Sequence, residues 1–495
     1  MKKTTRIALL LLCLAAALQA LPTAARASSE VPYQTYTNDK WGNAIPCPNG
    51  YLPTRSIGGA QLGCGNVNNA ADMFYSTTMR EVYIVDSGNA RIVVLSEDMD
   101  YLREYDSLTG GGGEYVFANP QGIFVQDDGT MYIADMGNQQ VVTASPEGVL
   151  LSILPTPQSN LLPDNFHYQP TKVIVDEKGR IYILSQGTYQ GLIYLDTDGS
   201  FIKFFGANEV QMTLQRQIQK LWKSILSDKA AATMQSFNPI EYGNIFMGED
   251  GYIYATAAGA EATASGVKLV TKLNPLGIDC MPNRWGGSRL FSDVTVDENG
   301  IMTVLDTRNG QIWQVTETSE LFTFGGIGDQ VGLFRRPVSI IEANEKLYVM
   351  DADKNTITEF ELTEFGSLVR QATALYDAGL YLESIEPWEG VARHNANFQL
   401  AYIGLGKAYY QLKDYDTAMY YFNLAGSRSN YSLAFREASL NRMRDSFAYI
   451  VLGIIVLIVA VLVLRKVLRR VDLRSLIRRG KASAAAGKEE QHEQC

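Results

Sequence analysis

From about residue 50 to residue 364 the chain alternates apolar and polar positions in runs of five or six, and glycine, proline, aspartate and asparagine break the runs at short intervals. Alternation with period two predicts strands buried on one face. The stretches "NPQGIFVQDDGTMYIADMGNQQVVTASPEGVLLSIL", "QPTKVIVDEKGRIYILSQGTYQGLIYLDTDGSFIKFFG" and "NPIEYGNIFMGEDGYIYATAAG" hold the same units in the same order. A strand meets a turn such as Asp128-Gly129, Lys178-Gly179, Asp250-Gly251 or Asn299-Gly300, and a second strand ends in a short polar loop. Aligning the second strands brings Asp86, Asp135, Ser185, Ala257, Asp306 and Asp351 into register, at steps of 49, 50, 72, 49 and 45 residues. Four short strands need roughly 40 to 50 residues, the period of a propeller blade. The pattern therefore predicts a mainly β chain whose residues 50–364 form a six-bladed β-propeller.

The glycine-rich stretch "FGGIGDQVGLFRRP" (Phe324–Pro337) has the look of a phosphate-cradling loop, but the sequence after it reads as strand, turn, strand. A phosphate loop needs a helix directly behind it, so the stretch is predicted to join one blade to the next. Blade six supplies three strands and then enters a helical region. "GYLPTRSIGG" (Gly50–Gly59) resembles the outer-strand sequences and is predicted to complete that blade, so that no sheet edge is left open. The long step contains an insertion, residues 208–236, in which Leu214, Ile218, Leu221, Trp222 and Ile225 recur at helical spacing. The favoured reading is that this stripe packs on blades three and four; the other is a helical lid that borders a binding site, with Trp222 as a candidate anchor.

Beyond residue 364 the pattern changes to helical. Residues 365–446 read as paired helices, and Phe447 to Leu464 is an uncharged apolar run of 18 residues, enough to cross a hydrocarbon layer of about 30 Å. Basic residues crowd the tail, residues 465–495, which predicts a single-pass protein of the cell membrane with its tail in the cytoplasm and its propeller outside. Residues 1–27 read as a signal peptide, with Ala25 and Ala27 at the small positions of a cleavage site, and residues 28–49 as an N-terminal segment. Of the net charge of −10, the signal carries +4 and the tail +5, which leaves about −19 on the exported part. Such a surface argues against a nucleic-acid partner. Three histidines, at 167, 394 and 492, are too few and too scattered for a zinc site built on imidazoles. An oxidising compartment permits a bridge between Cys47 and Cys64.

The most chemical-looking set is Asp86 with Asn89, Asp135 with Asn138, Asp306 with Asn309, and Asp351 with Asn355, all in loops after second strands on one face. Carboxylate and amide oxygens suit a hard cation, so calcium is the one candidate cofactor. Turn capping of backbone N–H groups explains the same residues and is favoured. The sequences "VYIVDSGNARI", "MYIADMGNQQV", "MTVLDTRNGQI" and "LYVMDADKNTI" resemble NHL repeats, whose propellers present such loops as binding faces. Blades three and four lack the aspartate. Propellers resembling gluconolactonases hold a catalytic metal with Glu, Asn and Asp, and no matching set is found here. In "AYIGLGKAYYQLKDYDTAMYYFNLA", Tyr402, Leu405, Gly406, Tyr409, Tyr415, Ala418, Phe422 and Ala425 resemble a tetratricopeptide repeat, and Gly379, Tyr381, Ser384 and Trp388 answer one period earlier. Together these resemblances imply a non-catalytic, membrane-anchored surface scaffold for a protein or carbohydrate-related partner, with a membrane transport component as one candidate. The alternative is a metal-dependent, lactonase-like hydrolase.

Overall fold

The computed structural model of the chain describes residues 31–38, 43–110, 113–162, 166–207, 241–258, 268–282 and 289–470. The expected signal peptide, the insertion with Trp222 and the tail beyond residue 470 lie outside the described residues. The chain divides into two compact units, residues 1–404 and 405–495.

Among the described residues the first unit forms six antiparallel blade sheets and one separate two-stranded hairpin. Their inner strands are Asp72–Ser76, Pro120–Val125, Pro170–Val175, Tyr242–Met247, Phe291–Val296 and Pro337–Ala343. The second strands end at Asp86, Asp135, Ser185, Ala257, Asp306 and Asp351, the six positions aligned from sequence. Proline opens three inner strands, where no ladder N–H is required. Gly129, Gly179, Gly251 and Gly300 turn the inner strands into the second strands with φ between +72° and +85°, a region closed to most side chains. The stretch from Phe324 to Pro337 runs from the outer strand Glu320–Gly325 to the inner strand of blade six, as expected. Its Gly325 and Gly332 also have positive φ, +86° and +89°.

The ring closes by strand exchange. Tyr51–Gly58 pairs antiparallel with Thr356–Leu362, from Tyr51 opposite Leu362 to Gly58 opposite Thr356, so blade six takes its outer strand from the start of the chain. A buried apolar layer then forms between blades six and one, with Ile57, Ile357 and Met350 against Ile84 and Val93. Two additions were not foreseen. The N-terminal segment does not stand apart, because Tyr36–Asn38 and Ala44–Pro46 extend the sheet of blade five beyond its outer strand. A hairpin, Ser107–Gly110 with Gly113–Val116, sits in the connection into blade two. Blade four shows three strands among the described residues.

Helix α1 (Glu364–Asp377) starts directly after blade six. Thr363 caps it by accepting from Gly366 N at 3.0 Å, and the Thr363 hydroxyl donates to the Asn49 carbonyl at 2.6 Å. Helices α2 (Tyr381–His394) and α3 (Gln399–Gln411) follow. A Cβ at Gly404 would press into the Trp388 ring, 2.7 Å from Cδ2, so glycine lets α3 approach the indole. In the second unit Gly406 plays the same part against Phe422, ahead of helix α4 (Tyr415–Leu424). Helix α5 (Arg428–Arg470) has 43 residues, so it extends roughly 65 Å. It runs without a break through the position expected to separate helical domain from membrane span, and its apolar stretch from Phe447 onward is exposed and long enough to cross a bilayer.

Deleting Gly50–Gly58 opens blade six and exposes its third strand. We expect the propeller to lose more than about 10 °C of thermal stability or to fail to fold, as read by circular dichroism. An unchanged melting curve would show that the exchanged strand does not close the ring.

Candidate functional site

The first unit encloses a cavity of about 1400 Å³ along the propeller axis. It opens at the end where inner strands turn into second strands. Its wall is a ring of side chains two residues beyond a common register position on each inner strand, namely Phe74, Phe124, Ile174, Phe246, Thr295 and Ile341. Phe74 and Phe124 meet edge to face, with centroids 5.3 Å apart. The rim carries at least one exposed acid from each turn of blades two to six, Asp127, Glu177, Glu249, Glu298 and Glu345 among them.

The register position itself forms a polar ring below this wall. Asp72, Gly122, Lys172, Asn244, Asp293 and Ser339 each lie opposite the residue preceding the second-strand end. Asp72 and Asp293 are buried, and every oxygen on them is occupied. Asp72 Oδ2 accepts from Ile123 N at 3.1 Å, and its Oδ1 pairs with the Lys172 ammonium. Asp293 Oδ2 accepts from Ile340 N at 2.8 Å and from the Ser339 hydroxyl at 2.7 Å, while Oδ1 accepts from Asn244 Nδ2 at 2.5 Å and Val294 N at 2.8 Å. Ser339 Oγ in turn accepts from Met73 N at 3.0 Å. Lys172 reaches Asp72 across blade two, where glycine at 122 lets the backbone of blade three come close, since a Cβ there would collide with the Thr171 carbonyl and stand 3.1 Å from Lys172 Cα.

One ammonium thus pairs with Asp72 and acts on Asp293 only through its charge. Burial pushes the Asp293 carboxyl up to about 6, with the Asp72 charge adding to the rise and Lys172 opposing it. Burial also raises Asp72, against the pull of Lys172. The ring holds a proton more readily than an ordinary carboxylate pair would.

Helix α1 reaches this cavity through Arg370, which lines its mouth. The guanidinium bonds Asp297 Oδ2 at 2.8 Å, Glu342 Oε1 at 2.7 Å and the Tyr51 hydroxyl at 2.5 Å. Burial raises the Glu342 carboxyl, and Arg370 pulls it down.

The Asp/Asn loops chosen from sequence lie at the other end of the strands. Asp86, Asp135, Asp306 and Asp351 are fully buried. Each carboxylate holds the connection arriving from the preceding blade. Asp86 accepts from Asn68 N, Asp135 from Ala118 N and Asn119 N, Asp306 from Leu290 N, and Asp351 from Arg335 N and Arg336 N. Asn89, Asn138 and Asn309 donate to the same carboxylates through Nδ2 at 2.8, 2.9 and 2.7 Å. These are the bonds of turn capping. Asn355 accepts from Asn69 N at 2.9 Å instead. Cys47 and Cys64 are free thiols, contrary to the bridge that the sequence allowed. Their surroundings explain it. Cys47 lies beside Glu320 at the edge of blade five, and Cys64 lies near Arg91 and Asp86 of blade one. Among the described residues no group of three or more His, Cys, Asp or Glu is placed to hold a metal ion.

The fold and site define a six-bladed β-propeller with an axial cavity, followed by helices of which one is a candidate membrane span. No protein-family model matches the chain, and no curated protein does. Among solved structures it is similar to virginiamycin B lyase from Staphylococcus aureus, at 11% identity and a TM-score of 0.39, over 63% of this chain and 100% of that one. It is also similar to an extracellular domain assigned to a one-component system from B. thetaiotaomicron (13%, 0.38, over 67% and 38%) and to hydrazine synthase from Kuenenia stuttgartiensis (11%, 0.37, over 60% and 96%). Likeness at this level says nothing about what this chain binds.

Replacing Lys172 with Met leaves Asp72 buried without its counter-charge. We expect a loss of about 3–5 kcal/mol at pH 7 in urea unfolding. Without Lys172 the folded-state carboxyl of Asp72 lies still further above its unfolded value, so the loss should shrink as pH falls toward 5. An equal loss at both pH values would exclude the ion pair as its cause.

Asp293 supplies a second titration. Its folded pKa of about 6 exceeds the ordinary 3.8, so its contribution to stability is fully present below pH 4 and lost as pH rises through 6. The melting-temperature difference between wild type and Asp293→Asn should therefore shift by several degrees in favour of wild type on going from pH 7 to pH 4. A flat difference would contradict this.

Proposed function

We propose that the chain is a membrane-anchored binding protein whose propeller receives a small ligand in its axial cavity. The observation that carries this reading is the cavity itself, walled by aromatic and aliphatic side chains, floored by a charged ring and edged by turns. Its volume of about 1400 Å³ exceeds the range of ordinary small-molecule sites, roughly 300–1000 Å³, so a ligand of drug size can enter with part of its water. In this reading the propeller is NHL-like and lies outside the cell, α5 spans the membrane, and the basic residues after it stay in the cytoplasm. The helices between resemble tetratricopeptide repeats and serve as the surface for a protein partner, a membrane transport component being the candidate. The close glycine–aromatic contacts Gly404–Trp388 and Gly406–Phe422 support that resemblance.

The test is a thermal-shift screen of small metabolites on the full chain in lipid nanodiscs, repeated on Phe124→Trp and Phe246→Trp, which fill the cavity. We expect hits that raise the wild-type melting temperature and vanish in the filled variants. Hits that persist in both variants would place the ligand elsewhere. Protease added to intact cells should remove the propeller and spare the tail, and the reverse pattern would overturn the orientation.

A further inference from the structure

We propose that the axial cavity is specific for a cationic organic ligand, an apolar or aromatic body carrying one ammonium or guanidinium group. The inference deepens the reading of the cavity as a ligand site and rests on it. Three independent features of the cavity converge.

First, the mouth already receives a cation. Arg370 arrives from outside the propeller, on α1, and its guanidinium is held largely out of solvent by Asp297, Glu342 and Tyr51, with 15% of its side chain exposed. A guanidinium is desolvated and bonded at this rim in the folded chain, which is the task a cationic ligand would set it.

Second, the charge of the mouth is one-sided after its internal pairs are discounted. Arg370 pairs with Asp297 and Glu342, Arg180 with Asp176, and Lys272 with Asp250. What remains at the rim is Asp127, Asp128, Glu177, Glu249, Glu298 and Glu345 against Lys178. The turns do not need all of these acids. In blades three and five the capping role belongs to the preceding residue, Asp176 accepting from Lys178 N and Arg180 N, and Asp297 from Asn299 N and Ile301 N. Charges of one sign around a cleft with apolar walls focus the field into it and raise the local concentration of counter-ions.

Third, the wall below the rim offers the right surface for the rest of such a molecule. Phe74, Phe124 and Phe246 line the cavity and are only partly buried by the packing between blades. Aromatic faces attract cations as well as burying apolar bodies. Of the polar ring only Lys172 and Asp293 line the cavity, and the Lys172 ammonium is already engaged by Asp72. An anionic ligand would meet acids at the mouth and, at the floor, an ammonium that already has its carboxylate.

The experiment uses the full chain in nanodiscs and three probes that share a naphthyl body: 2-(1-naphthyl)ethylamine, 2-(1-naphthyl)ethanol and 3-(1-naphthyl)propanoate. Affinities are read by calorimetry at low and at roughly threefold higher ionic strength. We expect the amine to bind at least about tenfold more tightly than the alcohol, the carboxylate to bind most weakly, and the preference for the amine to fall with salt. The triple variant Glu177→Gln, Glu249→Gln, Glu298→Gln should weaken the amine about tenfold and leave the alcohol unchanged. Arg370→Gln, which frees Asp297 and Glu342, should tighten the amine several-fold. Should that variant not fold, the surface triple variant carries the test alone. Alcohol or carboxylate binding as well as the amine, with Phe246→Trp abolishing it, would overturn the cationic class while leaving the cavity as a ligand site. Binding of all three probes that Phe246→Trp does not affect, or no binding of any, would overturn both.

Discussion

Every inner strand of this propeller has a hydrogen-bonded neighbour on one side and the axis on the other. The N–H groups that point toward the axis have no strand to meet, and a buried N–H without a partner costs free energy comparable to a lost hydrogen bond. The polar ring answers this need. Met73 N is taken by Ser339, Ile123 N by Asp72, and Ile340 N by Asp293, each side chain serving the inner strand of the next blade. Ile245 N and Val294 N are taken by Asn244 and Asp293 of their own strands. Polar side chains are therefore required at the axis, and once two of them are aspartates a counter-charge is required too. Lys172 supplies it, and Gly122 lets the strand that carries it approach. The floor that makes the cavity a cavity is a consequence of satisfying the backbone.

The same requirement shapes the opposite end of the strands. There the connection between blades passes through irregular backbone, and the buried aspartates at the ends of the second strands accept its N–H groups. Blade three uses Ser185 for the purpose, accepting from Gln169 N at 3.0 Å. The two ends thus differ in chemical availability. The aspartates that end the second strands are closed into the backbone, whereas Glu177, Glu249, Glu298 and Glu345 on the rim of the cavity face solvent.

This asymmetry also explains what could be read from the sequence. Blade period, second-strand ends and the exchanged strand were legible because they are marked by local chemistry, an Asp or Asn beside a Gly at a fixed distance from an alternating run. The axial ring was not, although its six positions are in perfect register. It consists of Asp, Gly, Lys, Asn, Asp and Ser, which share no residue type, and its bonds join residues as far apart as Asp72 and Ser339. Aligning the inner strands rather than the second strands would have shown a polar or glycine position interrupting each apolar run, and that is the signal that was available. The extension of blade five was hidden for a different reason. Tyr36 and Asn38 are held by Gln311 and Glu320, and three-residue strands carry too little pattern to be seen.

Tyr51 shows how tightly the parts of the first unit are joined. It begins the exchanged strand, stacks on Phe324 of blade five at 5.3 Å, and is fully buried. Its hydroxyl accepts from Gln314 Nε2 at 3.0 Å and from Arg370. One residue earlier, Gly50 lies so close to α1 that a Cβ on Gly366 would collide with its carbonyl, and that same carbonyl accepts from Thr363 N at 3.0 Å. Ring closure, the start of α1 and the mouth of the cavity therefore share one hydrogen-bonded junction. Tyr51 therefore ties the exchanged strand to α1 through Arg370, at the same residue that pairs with Asp297 and Glu342 of the mouth.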